Sequence, residues 1–153
     1  MKKRDRMERD RAAGKAELLC EALPWINKMS GKTFVIKYGG SAMEDPELCR
    51  QVVADIEMLK LMGVRIVLVH GGGKAINAML KRLDVPVKFK DGLRVTDDET
   101  MDAVQEVLVG HVNQQLVWAL NEYGHNAVGI SGADGKTLKA EPVDPDLGRV
   151  GRI

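Results

Sequence analysis

The chain has 153 residues, 44% hydrophobic and 29% charged, which is enough apolar material for one domain with a sizeable core. A net charge of +1 offers no basic surface for nucleic acid, and no apolar run is long enough to cross a membrane. The charged N-terminus lacks the apolar centre of a signal peptide, and Cys20 and Cys49 are too few for a disulfide framework, so a reducing, cytoplasmic setting is expected.

Residues 1–30 read as a separate extension. Met1 to Lys15 is mixed charge and reads as a solvated or frayed helix, whereas Leu18, Leu19, Ala22, Leu23, Ile26 and Met29 recur as an apolar helical stripe. Pro24 removes the N–H that would bond the Cys20 carbonyl, so a kink is expected there. The stripe needs a covering surface, from its own domain or from a neighbouring subunit.

Thr33-Phe34-Val35-Ile36 is a β-type run leading into Lys37-Tyr38-Gly39-Gly40, and Val64 to Val69 is a second one leading into His70-Gly71-Gly72-Gly73. Between them Val52, Val53, Ile56, Leu59 and Met62 recur at intervals of three and four, which predicts a helix from about Pro46 to Met62 with one buried face. Strand, helix and strand of this length make a βαβ unit with parallel strands. Both glycine turns then lie at the C-terminal strand ends, where open α/β sheets bind ligands. Glycine lets backbone N–H groups approach a ligand closely, so the paired turns read as a phosphate cradle and the chain as a phosphoryl-transfer protein. Neither turn is a G-x-G-x-x-G fingerprint, and Gly73-Lys74 is followed by Ala75, which excludes a P-loop. Tight turning alone is the bland alternative; three consecutive glycines before a helix from about Lys74 to Leu83 favour ligand binding. His70 borders the second turn and reads as a partner for loop backbone groups rather than as a catalytic base.

Val85 to Phe89 and Leu93 to Val95 read as short strands around the hairpin signal Asp91-Gly92. Thr96 with Glu99 reads as a capping box opening a long helix, whose Met101, Val104, Leu108, Val112, Leu116 and Leu120 form one face, with Gly124 as its stop. Arg94, on the strand leading to that helix, either grips a carboxylate by paired hydrogen bonds or is a solvated strand charge. Asn113 reads as an exposed helical residue. His111 and His125 have no partner at metal-ligand spacing and read as structural or solvent-facing, so no metal ligands are assigned. Asn126 to Ile130 reads as a further strand and Ser131 to Gly135 as a turn into a second hairpin with Leu138 to Glu141 as an arm. Pro142 and Pro145 bracket an acidic loop, and another strand begins near Leu147 to Ile153.

Gly31 to Gly40, Val67 to Gly73 and Asp91-Gly92-Leu93-Arg94-Val95-Thr96-Asp97 closely resemble the acetylglutamate kinases of the amino-acid kinase family, as do Val128 to Gly135 and Leu147 to Gly151. The resemblance covers essentially all of residues 31–153, and the kinked extension is similar to that of the arginine-inhibited, hexameric branch. It implies an α/β fold, an αβα sandwich with a mainly parallel central sheet, here truncated to the N-terminal, acceptor-substrate lobe. It implies ATP-dependent phosphorylation of the side-chain carboxylate of N-acetyl-L-glutamate, with Mg2+ carried by the nucleotide, L-arginine as feedback inhibitor, and dimers or hexamers. By the same resemblance Lys37 is the catalytic cation, Gly72, Gly73 and Arg94 bind substrate, and Gly39, Gly40 and Gly71 line the nucleotide side. A carboxylate nucleophile is already ionised, so no general base is needed.

Two departures stand out. Lys74 replaces a frequent proline and reads as an exposed cation, with added attraction for nucleotide phosphates as the alternative. Family members run to nearly twice this length, and the half beyond Ile153 carries most of the nucleotide site and a second catalytic lysine, so the isolated chain is expected to be an inactive fragment. Another amino-acid kinase, acting on glutamate, aspartate or carbamate, and a non-catalytic assembly module remain as alternatives.

Overall fold

A computed structural model of the chain describes residues 2–39, 43, 45–122, 124 and 126–153. Helix α1 spans Lys2–Met29 as one hydrogen-bonded element with Pro24 inside it. The apolar stripe is not buried by the rest of the chain: Leu18, Leu19, Leu23 and Trp25 are exposed, and Ala22, Ile26 and Met29 are only half-buried.

The βαβ unit is present. Strands β1 (Thr33–Tyr38) and β2 (Arg65–His70) pair in parallel from Thr33↔Arg65 to Tyr38↔His70, and α2 (Pro46–Leu61) connects them. Local chemistry sets the ends of α2. The Asp45 carboxylate accepts from the Glu47 and Leu48 amides, Pro46 occupies the first turn where no N–H is needed, and Gly63 turns the chain out with φ 83°. Val53 and Ile56 are its buried residues. The ladder continues one step past β2, because the Gly71 amide donates to the Tyr38 carbonyl at 3.1 Å.

Helix α3 (Gly73–Arg82) starts directly from the second glycine turn. The hairpin that follows is shorter than expected. β3 (Phe89–Lys90) and β4 (Leu93–Arg94) pair, with one more bond from the Val95 amide to the Lys88 carbonyl at 3.0 Å, while Val85 drops into the core. Asp91 and Gly92 both take positive φ, 51° and 79°, the backbone of a two-residue turn whose twist matches its strands. The cap of the next helix is Asp97, not Thr96. The Asp97 carboxylate accepts from the Thr100 amide at 2.9 Å, while the Thr96 hydroxyl turns back to donate to the Arg94 carbonyl at 2.9 Å.

Helix α4 (Asp98–Gln105) runs through a π-helical segment (Glu106–Val112) into α5 (Asn113–Glu122). The expected stripe is shifted accordingly. Ala103 is buried before the π segment, Val107 and Val112 at its two ends and Leu116 after it, so the core face skips one residue where the helix widens. Together with Tyr38, Ile76, Leu80 and Val85 these four residues form the core. Leu80 is wholly enclosed, a burial contributing about 1.5–3 kcal/mol.

Asn126 to Ile130 forms no strand; Asn121 instead holds it, accepting from the Ala127 amide and donating to its carbonyl. Asn113 is buried rather than exposed, because it packs against the bare backbone of Gly129. The hairpin expected through Ser131 to Gly135 with Leu138 to Glu141 as an arm does not form; the last hairpin instead pairs β5 (Glu141–Pro142) with β6 (Gly151–Arg152), the strand expected to begin near Leu147. Between its arms Leu147 is buried and Thr96 is clasped by backbone: its amide donates to the Leu147 carbonyl at 3.0 Å and its carbonyl accepts from the Arg149 amide at 2.7 Å. Gly148, at φ 66°, sits where a β-carbon would lie 2.2 Å from the Thr96 oxygen. The α/β class with a parallel sheet is the one the sequence predicts. Of the sandwich, the described residues supply the sheet and the helical layer against its Tyr38 and Leu68 face. The other face, with Val35, Val67 and Val69, is exposed.

Candidate functional site

The two glycine turns, the start of α3 and the β3–β4 hairpin surround one cleft of about 630 Å³. Every site residue singled out from the sequence that falls among the described residues lines it: Lys37, Gly39, Gly71, Gly72, Gly73 and Arg94. Gly40 and His125 lie outside the described residues. Parallel pairing explains the convergence, since it brings both strand ends, and therefore both turns, to one edge of the sheet.

Lys37 is the penultimate residue of β1, and its side chain is exposed on the valine face. Gly72 caps α3 without offering a side chain to the first-turn amides, so that N-terminus faces the cleft with its own backbone donors. A β-carbon at Gly72 would lie 2.6 Å from Leu108 Cδ2, so the bare backbone also lets the π segment approach the turn. The Gly71 amide is used within the fold by Tyr38, which leaves Gly71 a turn-forming place in the cleft wall. His70 Nδ1 lies 3.1 Å from the Gly71 carbonyl, consistent with its reading as a partner for loop backbone. Burial, reinforced by a hydrogen bond with Cys49, pushes the Tyr38 phenol up to about 12, so it is a neutral wall of the cleft rather than a base. Lys74 and His111 are exposed and line the same cleft.

Arg94 is the most constrained cation here. Its Nη2 donates to Asn77 Oδ1, its guanidinium carbon lies 4.9 Å from the centre of the Phe89 ring, and its Nη1 is buried with no hydrogen-bond partner among the described residues. Burial pulls its pKa below the ordinary arginine value, and an arginine remains charged regardless. Asn77 was not singled out from the sequence, where a lone asparagine on a helix carries no signal. Phe89 was legible in principle, because a two-residue turn at Asp91-Gly92 places it directly across from Arg94. Among the described residues, no three His, Cys, Asp or Glu side chains gather as a metal site.

Parallel strands ending in glycine turns, a helix N-terminus and three cations, Lys37, Lys74 and Arg94, thus surround one cleft of an α/β protein. Residues 32–153 match the amino acid kinase family, and the chain belongs to that family. Acetylglutamate kinase of Thermoanaerobacter pseudethanolicus is 53% identical over 141 residues, covering 91% of this chain and 47% of that protein. The chain thus spans about half the length of such relatives. Among solved structures, a protein from Streptococcus mutans UA159 superposes with a TM-score of 0.67 at 32% identity, over 78% of this chain and 48% of that one. N-acetylglutamate synthase from Neisseria gonorrhoeae, in complex with coenzyme A and N-acetyl-glutamate, also gives 0.67, at 28% identity, over 87% of this chain and 31% of that one.

Proposed function

We propose that the cleft binds N-acetyl-L-glutamate and that residues 31–153 provide the acceptor side of its ATP-dependent phosphorylation. The observation that carries this reading is the convergence of Lys37, the Gly72-Gly73 turn and Arg94 on one cleft, in a chain about half identical to acetylglutamate kinases. In the reaction a side-chain carboxylate oxygen attacks the γ-phosphorus of ATP, the bond to ADP breaks, and an acyl phosphate forms. Arg94 grips the α-carboxylate, the Gly72 and Gly73 amides and the α3 N-terminus hold negative oxygens, and Lys37 offsets charge on the phosphoryl group in flight. Gly39 and Gly40 are assigned to the nucleotide side, and Mg2+ to the nucleotide's own phosphates.

The 153-residue chain then binds acceptor without turning it over, because in-line transfer needs the donor held as well. Residues 1–30 serve as an assembly extension. The exposed Leu18, Leu19, Leu23 and Trp25 support a homo-oligomer, with L-arginine as feedback inhibitor of the complete enzyme. Free Cys20 and Cys49 suit a cytoplasmic setting.

Calorimetric titration of the chain tests the reading. N-acetyl-L-glutamate should bind at least about tenfold more tightly than L-glutamate, L-aspartate or carbamate, each of which lacks the acetyl group of the proposed substrate. A hydroxamate assay with ATP should show no acyl phosphate. Tighter binding of another acceptor, or no binding of N-acetyl-L-glutamate, overturns the substrate assignment, and robust turnover overturns the division of labour.

A further inference from the structure

Three elements meet at the Arg94 guanidinium. It projects from β4, the Phe89 ring from β3 lies 4.9 Å from its central carbon, and Asn77 Oδ1 from α3 accepts from Nη2. A free arginine side chain has considerable rotamer freedom, and here that freedom is already restrained on two sides. Both restraints are neutral. The asparagine oxygen and the aromatic face hold the cation without cancelling its charge, whereas an aspartate at the same place would pair with the guanidinium and occupy it. Nη1, buried and without a partner among the described residues, is the donor left over, and a buried donor gains most from an anionic acceptor.

We propose that Asn77 and Phe89 are positioning residues that hold the Arg94 guanidinium so that Nη1 meets the carboxylate of the bound amino-acid ligand. The inference rests on the reading of Arg94 as the carboxylate grip. Asn77 and Phe89 are both exposed, so their substitution leaves the core intact.

The test is calorimetry of the 153-residue chain with N-acetyl-L-glutamate, alongside thermal melts. Asn77→Ala should weaken binding about tenfold, in line with a lost hydrogen bond to a charged group. Asn77→Asp, equal in size and still an acceptor, should weaken it at least as much, a result that a merely structural asparagine would not give. Phe89→Leu keeps apolar bulk but loses the aromatic face and should cost about threefold. In an Arg94→Lys background, Asn77→Ala should add no further loss. Wild-type affinity in Asn77→Asp, or an undiminished Asn77→Ala effect in the Arg94→Lys background, overturns the positioning role. If Arg94→Lys itself binds as wild type, the carboxylate-grip reading fails instead. A ligand-free measurement separates the two: the Arg94 Nη signals in nitrogen-15 NMR should be resolved in the wild type and averaged in Asn77→Ala. Averaged signals in the wild type overturn the positioning role even if the ligand assignment holds.

Discussion

Lys90 ties the hairpin that carries Arg94 to the turn at Pro145–Leu147. Its Nζ lies 2.8 Å from Asp146 Oδ2 and 2.9 Å from Asp144 Oδ2. Hydrogen bonds that Lys90 donates to Asp146 and then to Asp144 raise the Lys90 pKa above its ordinary 10.5, and the Lys90 hydrogen bond, followed by that of the Asp146 amide, lowers Asp144 below its ordinary 3.8. A lowered carboxylate contributes stability that is present above its unfolded value and lost as pH falls through the folded one. A raised lysine contributes stability that is lost as pH rises through its folded value. The clasp is therefore expected to hold across the neutral range, to open only in acid below the ordinary carboxylate value, and to open again in strong alkali. Amide NMR shifts of Gly92 and Arg94 should report the acid step, and Lys90→Met should remove it; an acid step of the same size in that variant would refute the clasp. None of this was legible from residue types, because Lys90 and Asp144 are far apart in sequence. Asn113 was misread for a related reason: its burial is decided by Gly129 approaching from another segment, and helical periodicity does not see that.

At the scale of elements, the sequence carried the strands and helices wherever a single periodicity ruled. β1, α2, β2 and α3 fall within a residue or two of their expected bounds because alternation, capping and glycine stops agree there. The long helix differs. Its apolar residues recur at repeated intervals of four, which a 3.6-residue helix cannot keep on one face, and the π segment at Glu106–Val112 absorbs the excess. The step from Val107 to Val112 behaves as a one-residue insertion, so deleting exposed Gly110 should restore a regular helix with both core faces still aligned. Melting temperature is expected to hold or rise, since a helical glycine is removed. Val112, Gln115 and His111 line the cleft, so the affinity for N-acetyl-L-glutamate should fall. Deleting buried Ala103 instead rotates α4 away from its own core contacts and should unfold the chain. A Gly110 deletion that melts as early as the Ala103 deletion would show that the bulge is required by the fold.

For the molecule as a whole, the parallel pair and the meeting of both glycine turns at one sheet edge were legible because two hydrophobic runs end in the same chemistry, and the absent strand at Asn126 to Ile130 was not, because pairing needs a neighbour as well as a propensity. The uncovered face is the clearest whole-molecule result. Val35 and Val67 are register partners, 70% and 49% exposed, with Val69 beside them. Such a face should bind a hydrophobic dye and make light scattering climb with protein concentration, and Val35→Lys with Val67→Lys should suppress both. Dilution-independent monomers in the wild type would refute this. The clasp around Thr96 bears on synthesis. Leu147 and Arg149 supply the backbone partners that fix the stretch just after Arg94, so a nascent chain displays the glycine turns long before the arginine wall of the cleft is anchored. Anchoring of that wall therefore waits for Leu147 and Arg149 to emerge, and a protease that cuts after Asp144 would leave the stretch after Arg94 without the backbone partners that fix it.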